Sequence, residues 1–315
     1  MKKDAILFGA SSLGEGAFHI LKSQFNFIFY CDNDSKKWGN KLNKLIIEPP
    51  EKISQHKDAV IIISSMYDEE IEKQLIGMGI YNFLFFSFKL DINTPKLISD
   101  MDTIKKFIEQ EDFPFLVSFP RTGSHWLRMI MELYLSRPTL TRALFFSKSN
   151  DFTCFHTHDM DLTVRRKNVI YLYRQPTEVI FSQMMYHRQD LNDNHKIKEW
   201  SELYGKHLNK WLLEENCSTK KTLISYEGLK DNINEEFLKV CEHLNVSFDP
   251  IRLSSIQKNV SKHLLKEKTG SYDNQVVNIN SDYSEKRDKF ITKYNDFIKD
   301  IILSVNDNLD IFLKK

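Results

Sequence analysis

The strongest constraint on this chain is a series of short runs in which nearly every residue is apolar. "DAILFG", "NFIFYCD", "AVIIISS" and "NFLFFSF" fall within the first 88 residues, with the helical patterns "LGEGAFHILKS" and "DEEIEKQLIGMG" among them. A strand that is apolar at every position, rather than at alternate ones, must be covered on both faces. Such strands separated by amphipathic helices predict a parallel sheet in an α/β domain. We place this Rossmann-like domain at residues 1–92. From Asp91 to Asp112 the chain turns polar, and the pattern "KLISDMDTIKKFIEQ" predicts a linker helix within 93–112. A second α/β domain, 113–315, opens at "FPFLVSFP", with strands at "NVIYLYR" and "KTLISY" and helices near 195–214, 233–244 and 285–304. There is no tandem repeat and no low-complexity tract.

Charge narrows the function classes. Lys and Arg number 44 against 43 Asp and Glu, a net +1, so no global basic footprint points to nucleic acid and any anion site must be local. Cys31, Cys154, Cys217 and Cys241 lie far apart without a C-x-x-C pair, which argues against a zinc knuckle and a secreted disulfide framework. The N-terminal apolar run is too short for a signal peptide and reads as a first strand. "YNFLFFSFKL" falls far short of the roughly 18 residues a membrane helix needs. The expectation is a cytoplasmic protein without a membrane span. Oligomeric state is not legible.

Two stretches of the second domain suit an anion. In "SFPRTGSHWLR" a strand gives way to a turn and then to a helix starting near Ser124. Unpaired N–H groups of about Thr122 to His125, with the helix dipole, favour phosphate or sulfate there. Gly123 lets the backbone approach, and Arg121 adds a forked cationic donor. The G-x-x-x-x-G-K-[ST] spacing of an ATP-binding loop is absent. In "NVIYLYRQPTEVIFSQMMYHR", Arg174 ends a strand, Pro176 suits the first helical turn and Ser182 lies two turns along. Arg174 and Ser182 could converge on one phosphate at the carboxyl edge of the sheet. Each stretch alone also reads as an ordinary strand–turn–helix corner.

Together the two stretches resemble the PAPS-dependent sulfotransferase family. "FPRTGSHWL" is similar to its Y/F-P-[KR]-[ST]-G-[ST/N]-x-W loop, and "RQPTEVIFS" to its R-x-P-x-[DE]-V-x-x-S segment. The likeness covers roughly residues 113 to 270. It implies a P-loop-like α/β/α fold, 3′-phosphoadenosine 5′-phosphosulfate (PAPS) as donor, 3′,5′-ADP as product, and no metal. By the same resemblance Arg121, Thr122, Gly123, Ser124 and His125 hold the phosphosulfate, and Trp126 packs on the adenine. Arg174 and Ser182 take the 3′-phosphate, and Tyr226 of "LISYEGL" reaches the adenine edge. The family's late basic-glycine loop has its nearest counterpart in "HLLKEKTG", which adds Lys266 and Lys268.

Between these stretches "DFTCFHTHDMD" is similar to the family's [KR]-[ST]-H element. This makes His158 the candidate general base, with His156 second, in an in-line transfer to an acceptor hydroxyl. Arg121 would stabilise charge on the leaving oxygen. H-x-H also reads as a metal pair or as two loop histidines; no third ligand follows at H-x-H-x-D-H spacing.

In the first domain Gly9, Gly14 and Gly16 span a strand–turn–helix, and Asp32 ends the second strand where Rossmann domains recognise a ribose. "FGASS", "CDND" and "KKWG" resemble small domains attached to enzymes of sugar-nucleotide and surface-polysaccharide metabolism. Gly9, Gly14 and Asp32 are the candidate ligand residues; tight packing and a turn cap explain them equally. The resulting expectation is a sulfotransferase whose acceptor is a hydroxyl of a bacterial surface glycan or its precursor. The rival is a nucleotide-binding regulator without catalysis.

Overall fold

The structure, a computed structural model, describes residues 2–86, 101–140, 143–146, 151–260 and 281–313. Two compact units are present. The first comprises Met1–Asp100, Arg128–Thr153 and Asp249–Asp273; the second comprises Met101–Leu127, Cys154–Phe248 and Asn274–Lys315. They interleave along the chain, whereas the division read from the sequence, at 93–112, is linear.

The first unit holds β1 (Lys3–Phe8), α1 (Ser12–Leu21), β2 (Phe25–Cys31), β3 (Lys41–Leu42), β4 (Leu45–Glu48), β5 (Val60–Ile63), α2 (Asp68–Gly77) and β6 (Phe83–Phe85). The sheet order is β3-β4-β2-β1-β5-β6, and every pairing is parallel except β3 with β4. Ala5 to Phe8 and Val60 to Ile63 are buried at every position, as unbroken apolar runs require. The β3–β4 hairpin was not expected. Its turn residues Asn43 and Lys44 both take positive φ, 51° and 70°, the geometry of a two-residue hairpin turn.

Segments distant in sequence join this unit through polar pairs. The buried Glu132 carboxylate accepts from the N–H groups of Thr139, Leu144 and Phe145. Asp249 donates its N–H to the Tyr134 hydroxyl at 2.6 Å and caps helix Pro250–Asn259, whose Asn259 amide donates to the Ile20 carbonyl at 3.3 Å.

The second unit carries β7 (Phe115–Ser118), β8 (Phe155–Thr157), β9 (Asn168–Tyr173) and β10 (Lys220–Ser225), all parallel, in the order β10-β9-β7-β8. Its helices are α3 (Met101–Ile108), the start of α4 (Ser124–Leu135), α5 (Pro176–Tyr186), α6 (Asn194–Leu208), α7 (Tyr226–Asp231) and α8 (Ile233–His243). With helix Pro250–Asn259 of the first unit counted as α9, the long C-terminal helix Ser281–Val305 is α10. Val117, Val169, Tyr171, Phe181, Trp211, Ile298 and Ile302 form the core. Helix α6 runs close to α10 because residue 205 is glycine; a Cβ there would meet Val305 at 3.0 Å. The chain leaves β7 towards β8 on one side and later leaves β9 towards β10 on the other. That reversal opens a crevice at the carboxyl ends of β7 and β9, the usual ligand position in open α/β sheets.

Among the described residues no helix is long and apolar enough to cross a membrane.

Candidate active site

The loops that follow β7, β8, β9 and β10 bring the candidate residues to one edge of the second sheet. The β7–α4 turn is strained. Arg121 has φ 71° and Gly123 φ 96°. A residue with a Cβ in the left-handed region costs about 1–2 kcal/mol, and residues held there cluster at functional sites. Thr122 is buried and its hydroxyl donates to the Phe119 carbonyl at 2.8 Å, so that group shapes the turn. Gly123 is required by its neighbour: a Cβ would lie 2.4 Å from the Tyr226 ring. Ser124 is buried and His125 half-buried in the first turn of α4. Trp126 meets Tyr226 edge-on, with ring centroids 5.7 Å apart.

Pro176 opens α5, its missing N–H being one that a helix start leaves unpaired anyway. This helix directs Ser182 to the β7 turn, where Arg121 Nε donates to Ser182 Oγ at 3.1 Å. The Arg121 guanidinium also lies over the Tyr186 ring at 5.0 Å. Arg174 Nη1 donates to the Arg121 carbonyl at 3.3 Å, and Nη2 to Glu178 at 2.9 Å. Its guanidinium sits 4.4 Å from the Tyr226 ring centroid. Among the described residues Arg174 Nε is buried without a hydrogen-bond partner, a donor suited to an incoming anion. Burial is the main cause that holds the Tyr226 phenol above its ordinary value, so it stays protonated beside this guanidinium.

The histidine pair sits at the end of β8. His156 is on the strand and His158 just beyond it, with rings 4.9 Å apart and nearly perpendicular. His158 Nδ1 lies 2.7 Å from the Ser118 carbonyl. A carbonyl only accepts, so Nδ1 carries the proton, and the basic lone pair of the neutral ring is on Nε2. His156 Nε2 is 3.3 Å from the Ser118 hydroxyl. The segment is fastened further by Asp159, which takes two bonds from Arg166 at 3.0 and 2.8 Å and one from the Thr157 hydroxyl. Among the described residues no cluster of three or more His, Cys, Asp or Glu could hold a metal.

In the first unit, Gly9 has φ 122°, and a Cβ there would lie 2.4 Å from the Ser64 carbonyl oxygen. A Cβ on Gly14 would lie 1.9 Å from the Gly9 carbonyl oxygen. Asp32 accepts from the Ala10 N–H at 2.8 Å and from the Asp34 N–H at 2.9 Å, and pairs with Lys37 at 2.9 Å. Lys266 and Lys268 lie outside the described residues.

The sequence reading did not single out Ser118, Glu178, Tyr186, Tyr204 or His207. Ser118 had a readable signal, a hydroxyl ending an apolar strand. Tyr204 and His207 look like core positions of an amphipathic helix until their polar tips are located.

Residues 147–306 match the family model for the sulfotransferase domain, and residues 1–83 match the model for the N-terminal domain of C2185-like proteins. The human Sulfotransferase 2A1 is 24% identical over 228 residues, covering 59% of this chain and 78% of that protein. Similar solved structures include mouse sulfotransferase SULT7A1 complexed with PAP, at 16% identity, 69% of this chain, 97% of that chain and a TM-score of 0.38. The sulfotransferase domain from the curacin biosynthetic pathway matches at 14% identity, 58% of this chain, 97% of that chain and a TM-score of 0.30. The matched stretch 147–306 makes up half of the chain and contains His158, Arg174, Ser182 and Tyr226, with the Arg121 turn ahead of it: the protein belongs to the sulfotransferase family.

Proposed function

We propose that this protein transfers a sulfuryl group from PAPS to an acceptor hydroxyl, with His158 as general base. The observation that carries the reading is the junction of two turns 53 residues apart, where Arg121 reaches Ser182 and Arg174 reaches the Arg121 carbonyl. That junction presents two guanidiniums and a hydroxyl at the crevice between β7 and β9. The residues fit such a donor in that Arg174 Nε is a buried donor lacking an acceptor among the described residues.

Arg174 and Ser182 would hold the 3′-phosphate, and Trp126 with Tyr226 the adenine. Arg121, Thr122, Gly123, Ser124 and His125 would hold the phosphosulfate, and Lys266 and Lys268 complete the set carried over from the family. When bound, the donor supplies a sulfuryl group on an oxygen that leaves as phosphate. His158 Nε2 takes the proton of the acceptor hydroxyl, while Nδ1–H on the Ser118 carbonyl keeps the ring in the tautomer that can do so. Arg121 balances the charge that develops on the leaving oxygen. The chemistry assigned to these side chains requires no metal.

The acceptor we assign is a hydroxyl of a bacterial surface glycan or its precursor. Support comes from the likeness of the first domain, 1–92, to domains of polysaccharide metabolism, with 113–315 as the transferring domain. Radiolabelled PAPS with a panel of oligosaccharides and phenols tests the chemistry. His158→Ala should lower transfer roughly 10²–10⁴-fold and leave 3′,5′-ADP affinity unchanged, and His156→Ala should do less. A fully active His158→Ala enzyme would remove the base assignment.

A further inference from the structure

Helix α6 and the turn that follows it carry polar groups at Tyr204, His207 and Lys210, three residues apart, and each is spent on the backbone of a site segment. The Tyr204 hydroxyl is fully buried, donates to the Arg174 carbonyl at 2.7 Å and accepts from the Arg174 N–H at 3.1 Å. One turn on, His207 Nε2 donates to the His158 carbonyl at 2.8 Å. Its Nδ1 then accepts from the Tyr171 hydroxyl at 2.9 Å, which fixes the tautomer. Beyond the helix end the chain widens into a π turn, Asn209–Leu213. There the buried Lys210 ammonium donates to the carbonyls of Leu162 and Val164, in the segment that follows His158.

Residues three apart on a helix are neighbours on one face. Each of these tips is buried, so each would cost about 1–3 kcal/mol if left unpaired. Helix packing alone would be satisfied by Phe, Leu and Met at these positions. The polar atoms instead clasp Arg174 and His158 themselves, both N–H and carbonyl in the case of Arg174.

We propose that helix α6 is a gauge that sets the spacing between the ends of β9 and β8, with Tyr204 and His207 as positioning residues that hold the Arg174 and His158 backbones. The inference rests on reading Arg174 as a donor ligand and His158 as the base. Neither Tyr204 nor His207 touches the reacting groups; they act through the residues they hold. Burial pushes the His207 imidazole down to about 4, consistent with a neutral ring that donates on one side and accepts on the other.

The test uses the full chain, calorimetry with 3′,5′-ADP, and magnetic resonance of isotope-labelled histidine, with the His158 signal assigned by its loss in His158→Gln. Tyr204→Phe removes one oxygen and keeps the ring, so it should fold, weaken 3′,5′-ADP binding roughly tenfold and leave the His158 tautomer as Nδ1–H. His207→Leu should leave 3′,5′-ADP affinity within about twofold but give His158 as a mixture of tautomers, because the carbonyl that anchors its backbone loses its donor. His207→Gln with Tyr171→Phe restores an amide donor near the Nε2 position without orphaning the tyrosine hydroxyl, and should restore the single tautomer. Unchanged affinity in Tyr204→Phe, or an undisturbed His158 tautomer in a folded His207→Leu, overturns the proposal. If the wild-type protein does not bind 3′,5′-ADP, the functional reading fails, and the tautomer of His158 in the His207 variants still decides this inference.

Discussion

The two units each contain a strand–turn–helix corner built on glycine, and they use it in opposite ways. In the β1–α1 corner the chain supplies its own anion: the Asp32 carboxylate accepts the Ala10 N–H at the helix approach and is neutralised by Lys37. The glycines there are spent on backbone contact, since Gly14 lies against the Gly9 carbonyl and Gly9 against Ser64. In the β7–α4 corner the chain supplies cations. Arg121 is held at positive φ beside Ser182, and Arg174 caps the Arg121 carbonyl with its Nε buried and lacking a partner among the described residues. The same local pattern thus meets a carboxylate in one unit and two guanidiniums in the other, and on the proposed function the second is the anion seat.

The largest effect is expected from disturbing the packed joint. Gly14→Val would drive a side chain into the Gly9 carbonyl, whose oxygen lies 1.9 Å from the new Cβ. Loss of more than about 4 kcal/mol follows when backbone must move in a packed core, so chemical denaturation should show the first unit unfolded. A stable Gly14→Val protein would mean that the corner is open enough for a ligand after all.

Acid comes next and bears on the second unit. Burial is the main cause that pushes the imidazoles of His207 and His243 down to about 4. In the unfolded chain they take up protons near 6.5, so between these values the unfolded state binds more protons. Stability from these groups is therefore present above about pH 6.5 and is lost as pH falls towards 4, by about 3 kcal/mol for His207. Melting curves from about pH 7 to 4.5 should show the decline, and His207→Gln with Tyr171→Phe should flatten part of it. A level profile in the wild-type protein would contradict neutral burial.

The smallest effect is expected at Asp32. Asp32→Asn removes the charge that serves the Ala10 N–H and Lys37, and should cost the first unit about 1–2 kcal/mol without touching 3′,5′-ADP binding. Unchanged stability would mean that the carboxylate is available to a ligand rather than used by the turn.

What could be read in advance followed from local pattern. The unbroken apolar runs gave parallel strands, and the Pro–Arg–Thr–Gly and Arg–Gln–Pro stretches marked the two turns that meet at Arg121 and Ser182. What could not be read depended on partners far along the chain. The hairpin at Asn43–Lys44 lacks the usual glycine. The grouping of Arg128–Thr153 and Asp249–Asp273 with the first unit rests on pairs such as Asp249 with Tyr134 and Asn259 with Ile20, over a hundred residues apart. Tyr204 and His207 have the spacing of core positions, and only their bonds to Arg174 and His158 set them apart.

The central claim is that the second corner reads a 3′-phosphate. Calorimetry of the full chain with 3′,5′-ADP and with ATP tests it most directly, because ATP lacks that group. We expect 3′,5′-ADP to bind and ATP to bind far more weakly, with Arg174→Ala costing 3′,5′-ADP about 1.5–3 kcal/mol, the range for charge-assisted hydrogen bonds. Equal affinity for the two nucleotides, or an Arg174→Ala protein that binds 3′,5′-ADP as the wild type does, would contradict the account.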